Sequence, residues 1–96
     1  MKSVHLIISG LVQGVGFRSR MKRQADILKL TGWVKNRPDG AVEAIIVGQE
    51  RIVNEMLDLC REGPPGTAVE TVKIDEITTH DNSTEFKIIK FSGNKT

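Results

Sequence analysis

This sequence is poor in several residue types. It holds a single cysteine, no tyrosine, three phenylalanines and one tryptophan. A lone Cys60 excludes an intrachain disulfide framework and any Cys-x-x-Cys metal or redox motif. The four rings (Phe17, Trp33, Phe86 and Phe91) are scattered, and none forms the paired stacking surface of an RNA-reading sheet. No apolar run approaches the ~20 residues needed to span a bilayer. Met1-Lys2-Ser3 leads straight into a strand-like segment with no signal-peptide core, so a cytoplasmic protein that does not use a membrane is expected. Asn82-Ser83-Thr84 fits the glycosylation sequon but without a secretory signal reads as a plain turn. Charge of one sign is also missing. The 14 Lys and Arg residues against 12 Asp and Glu leave +2. A protein that coats nucleic acid needs a dominant basic excess. What remains open is one small anion held at one local basic site.

What is present is an ordinary folded composition. With 39% hydrophobic and 27% charged residues, the 96-residue chain is a single domain, 1–96, with one two-layer core. Val4 to Leu11 alternates as a strand, with Ile7 making its second face less than fully polar. Gly10-Leu-Val-Gln-Gly-Val-Gly16 follows, with three glycines in seven residues. From Phe17 the period changes. Phe17, Met21, Ala25 and Leu28 fall on one helical face, predicting a helix from Phe17 to Lys29 that stops near Gly32. Trp33 to Asn36 and Ala41 to Val47 form a hairpin around Arg37-Pro-Asp-Gly40. Gln49 to Glu62 carries an apolar stripe of Ile52, Val53, Met56, Leu57 and Cys60, and Gly63-Pro-Pro-Gly66 ends it. Val69 to Thr78 is a strand, Asp81 to Ser83 a turn, Phe86 to Phe91 a short last strand, and Ser92 to Thr96 a mobile tail. The order β-α-β-β-α-β is that of an α+β ferredoxin-like (split β-α-β) sandwich. It predicts an antiparallel sheet with two helices on one face, plus a short C-terminal strand.

Three constellations bear on chemistry. In the first, a glycine-rich loop between a strand and a helix lets backbone N–H groups converge on an anion, and Arg18 in the first helical turn adds a forked guanidinium. The plainer reading is a tight turn with a solvated arginine, and the local pattern leaves both open. The loop has no Gly-Lys-Ser/Thr and is no Walker A motif, and a hairpin follows instead of a dinucleotide βαβ repeat. In the second, alternation places Val34 and Asn36 on one strand face, with Trp33 and Lys35 on the other. If Val34 faces the helices, the Asn36 amide sits at the rim of that layer, where it can position water or simply cap the turn. The third is the basic stretch Arg18 to Arg23, most of it a solvated helix face. His5 and His80 stand apart, with no ligand spacing, so no metal site is expected.

VQGVGFR at 12–18 and GWVKNRPDGAVE at 32–43 resemble the two signature segments of the acylphosphatase family, in order and at the expected separation. The resemblance runs on through Gly63-Pro-Pro65 to the Phe86-x-Ile88 strand. It implies a ferredoxin-like fold and hydrolysis of the carboxyl-phosphate bond of acyl phosphates, giving a carboxylate and inorganic phosphate. It places the family's catalytic arginine on Arg18 and its catalytic asparagine on Asn36. The phosphate cradle falls on the backbone amides of Gly14, Val15, Gly16, Phe17 and Arg18. The chain departs from the family directly after Arg18. Ser19 and Arg20 stand where many members carry aromatics, which alters the acyl side and brings a second positive charge near the mouth.

The implied partner is a small acyl phosphate, with inorganic phosphate as product and competitive inhibitor. A monomer is expected, with no cofactor, no metal and no nucleic acid. The family's fold also begins larger hydrogenase-maturation proteins, but 96 residues leave nothing to serve as later domains, so a stand-alone enzyme is expected. The alternative from another class is a ferredoxin-like module that senses an anion without turnover.

Overall fold

The computed structural model describes residues 1–78 and 84–90. In chain order the elements are β1 (Lys2–Leu11), α1 (Phe17–Leu28), β2 (Thr31–Asn36), β3 (Val42–Gly48), α2 (Glu50–Glu62), β4 (Ala68–Ile77) and β5 (Phe86–Ile88). Period-two alternation builds the sheet's inner face. Val4, Leu6 and Ile8 of β1, Val34 of β2, and Val42, Ala44 and Ile46 of β3 are all fully buried. Both helices lie on that face. Phe17, Met21 and Ala25 bury one stripe of α1, and Val53, Met56, Leu57 and Cys60 one stripe of α2. α1 sits over β2 and β5, while α2 sits over β1, β3 and β4. No helix among the described residues is long and apolar enough to cross a membrane.

The sheet order is β4-β1-β3-β2-β5. The four long strands pair antiparallel, as expected for the ferredoxin-like sandwich. The fifth does not. β5 runs parallel to β2, with Gly32 opposite Phe86 and Val34 opposite Ile88, so the sheet is mixed. Two backbone bonds extend this pairing: Gly32 N–H donates to Glu85 O at 3.2 Å and Ile89 N–H to Val34 O at 2.8 Å. Phe86, fully buried where β5 lies under α1, fixes the strand's place. β5 ends at Ile88, and the stretch expected to continue it reaches Phe91, which lies outside the described residues, as do the Asp81–Ser83 turn, His80 and the Ser92–Thr96 tail.

Helix α1 ends one residue before the expected Lys29 and without a glycine. Lys29 itself takes the left-handed conformation, φ 59°. The Lys29 N–H donates to Ala25 O and Asp26 O, and Leu30 N–H donates back to Ala25 O at 2.8 Å, which closes the helix end. The buried Leu30 side chain fastens this exit into the core. Gly32, the expected stop, is instead a strand residue in β2.

Candidate active site

The 12–16 segment leaves β1 and enters α1. Its first residue, Val12, is buried and anchors the loop to the core. Gly14 and Gly16 both hold positive φ, 76° and 79°, and a Cβ at either would meet nothing within 4 Å. Glycine is therefore required here by backbone conformation and not by crowding. Gly16 is the N-cap of α1, and no side chain caps it. The first intrahelical bond runs from Arg20 N–H to Gly16 O at 3.0 Å. The amides of Phe17, Arg18 and Ser19 therefore precede the helical ladder. No acidic residue lies in the first turn of α1, whereas α2 has Glu50 in its own. The positive end of the α1 dipole is thus left uncompensated beside the glycine loop. Arg18, second in the helix, is half-buried, and among the described residues it has no carboxylate within ion-pair distance.

Asn36 ends β2. Val34 faces the helices, and Trp33 and Lys35 share the opposite face, where the Lys35 ammonium lies 5.2 Å from the Trp33 ring centre. Asn36 follows Val34 on the inner face. Its Oδ1 is buried and has no hydrogen-bond partner among the described residues. A buried acceptor without a partner costs about 1–3 kcal/mol, so its persistence at the edge of the core points to a use. The turn that follows is tightly closed. Arg37 N–H donates to Ala41 O at 2.8 Å and Gly40 N–H to Arg37 O at 3.1 Å. Asp39 Oδ1 accepts from Ala41 N–H at 3.0 Å, and the Arg37 guanidinium lies 3.0 Å from Asp39 Oδ2. The Ala41 amide and, after it, Arg37 hold the Asp39 carboxyl below its usual range.

A contact absent from the sequence reading ties the loop to this turn. The Gln13 amide donates from Nε2 to Arg37 O at 2.8 Å and to Ala41 O at 2.9 Å. One side chain thus holds the glycine loop against the turn immediately after Asn36. The only sequence signal for Gln13 was its place inside the loop, because its partners lie far along the chain. Elsewhere, His5 is a satisfied strand histidine: its Nε2 lies 2.7 Å from Glu43 Oε2 on the neighbouring strand. Burial pushes the Cys60 thiol up to about 12, so it is protonated at neutral pH and no nucleophile. Among the described residues, no group of three or more His, Cys, Asp or Glu side chains could hold a metal ion.

The fold and this site define a class: an α+β sandwich of ferredoxin-like order with a glycine loop at the start of its first helix, bonded through Gln13 to the turn that follows Asn36. Comparison with known proteins then narrows it. The acylphosphatase family model matches residues 4–88. An acylphosphatase of Chlorobaculum tepidum is 43% identical over 88 residues, covering 92% of this chain and 96% of its own. One of Methylococcus capsulatus is 41% identical over 90 residues, covering 94% and 98%. The crystal structure of an acylphosphatase from Bacillus subtilis superposes with a TM-score of 0.89 at 36% identity, covering 93% of this chain and 99% of that one. The chain belongs to the acylphosphatase family.

Proposed function

We propose that the protein hydrolyses acyl phosphates, with the phosphate held by the 13–18 loop and water oriented by Asn36. The amides of Gly14, Val15, Gly16, Phe17 and Arg18 bind the phosphate oxygens, and the Arg18 guanidinium forks onto them. Bound there, the phosphate sits at an uncompensated helix N-terminus, which also stabilises the charge that shifts as the bond breaks. The water donates a hydrogen bond to Asn36 Oδ1, and this turns its lone pair towards phosphorus. Its oxygen attacks, the bond between phosphorus and the acyl oxygen breaks, and the carboxylate leaves with the electron pair. The water's proton goes to a phosphate oxygen of the substrate. No enzyme base is needed, because an acyl phosphate is a mixed anhydride with a good leaving group. The carboxylate of the adjoining turn, Asp39, is a weak base for the same reason that its pKa is lowered.

The buried, unpartnered Oδ1 of Asn36 carries this reading. Its test is phosphate release from benzoyl phosphate by the wild type, Arg18→Ala and Arg18→Lys. The alanine variant is expected to lose turnover by about 10²-fold or more, the scale of removing one transition-state donor. Lysine should rescue poorly, since an ammonium keeps the charge without the fork. Inorganic phosphate should compete with substrate, and EDTA should leave the rate unchanged. Binding of phosphate with no turnover of any acyl phosphate would instead favour an anion-sensing module.

A further inference from the structure

Arg18 is one of several basic residues at the start of α1, and the others do not share its surroundings. At about 100° per residue, Arg20 and Arg23 project from the flank of α1 opposite Arg18. There a cavity of about 220 Å³ opens between loop residues Val15 and Gly16, the side chains of Arg20 and Arg23, and the Pro64-Pro65 turn. Ser19 adds a hydroxyl to its wall. Carboxylates satisfy neighbouring cations. Lys22 lies 3.0 Å from Asp26, and Arg61 lies 2.9 Å from Asp58. Arg20 and Arg23 have no such partner among the described residues, and no carboxylate lines the cavity.

The opposite wall differs in kind. The two prolines offer hydrocarbon and no N–H. Their turn is fixed: Pro64 O accepts from Thr67 N–H at 3.2 Å and from Thr67 Oγ1 at 2.6 Å. Val15 and Gly16 belong both to this cavity and to the phosphate loop. Gly16 has no side chain to obstruct the way between them. A ligand whose phosphate lies on the loop can therefore cross Gly16, lay its carbon skeleton along the prolines and end between two guanidiniums.

Resting on the acyl-phosphate reading above, we propose that this cavity is the acyl-side subsite. It selects acyl phosphates whose acyl group carries a second anion, with Arg20 and Arg23 as the specificity-determining residues. Both arginines are exposed, so they discriminate moderately and through long-range charge that salt screens.

The experiment compares kcat/KM for 4-carboxybenzoyl phosphate and for 4-methylbenzoyl phosphate, which has similar shape without the charge. Wild type at low salt should favour the carboxylated substrate by about tenfold, as two partly exposed ion pairs allow. That preference should shrink as salt is raised and vanish in the Arg20→Gln/Arg23→Gln double variant. Three results would overturn the subsite: no preference in the wild type, a preference that survives in the double variant, or equal loss of both substrates in it. If wild type hydrolyses neither compound, the acyl-phosphate reading itself fails and takes the subsite with it. Turnover of both compounds without discrimination rejects the subsite alone.

Discussion

At the scale of single residues, the proposed mechanism gives Asn36 the chemistry and Gln13 the placement. Asn36→Ala removes the acceptor proposed for the attacking water but none of the groups assigned to phosphate. Turnover should fall on the order of 10²-fold, with the inhibition constant for inorganic phosphate nearly unchanged. An equal loss in both would move Asn36 into the phosphate site. Gln13→Leu keeps a similar volume and deletes both bonds to the turn. Each is worth roughly 1 kcal/mol, so a drop in the denaturant midpoint is expected along with slower turnover. Stability loss alone does not reveal positioning, but a double-mutant cycle does. If Gln13 acts by holding the loop against Asn36, the Gln13→Leu/Asn36→Ala pair should lose less activity than the product of the single losses. Independent losses would make Gln13 merely structural. Arg18 and Asn36 could be singled out because both sit in recognisable segments. The Gln13 clamp was not, because its acceptors are backbone carbonyls 24 and 28 residues away, and backbone carries no sequence signal.

At the scale of elements, glycine marks some boundaries and misses others. Gly14 and Gly16, placed by the sequence in a glycine-rich loop, adopt positive φ there. Gly16→Ala tests what that conformation is worth where there is room for a methyl group. The left-handed region costs a residue with a Cβ about 1–2 kcal/mol, so Gly16→Ala should unfold at lower denaturant by that amount. An unchanged midpoint would mean that the loop relaxes freely to another conformation, which would weaken the cradle model. Hydrophobic periodicity located both helices and the hairpin to within a residue or two, since amphipathic stripes are local signals. It placed the end of α1 one residue late, and the stop itself differs: Lys29 turns the chain without the glycine on which the expected stop relied. The pairing of β5 with β2 was also hidden, because a three-residue strand has no periodicity that could state its neighbour or direction.

At the scale of the whole molecule, the order of the sheet matters more than any one strand. Among the described strands, only β2 and β3 are joined as a hairpin. The interior strand β1 pairs with β3 on one side and with β4 on the other, so that Ser3, near the start of the chain, lies opposite Ile77. The glycine loop springs from the end of this same β1, which makes the candidate site a product of long-range assembly. That has a kinetic consequence. Chain entropy must be surrendered to bring distant segments together before most of the pairing can reward it. Refolding should then be slower than that of helical bundles of similar size, on a timescale of roughly milliseconds to seconds. Stopped-flow dilution from urea would measure it, and full recovery within microseconds would contradict it. Because the loop and turn meet only when β1, β2 and β3 are in register, catalytic competence should return together with the native fluorescence of Trp33 and not before it.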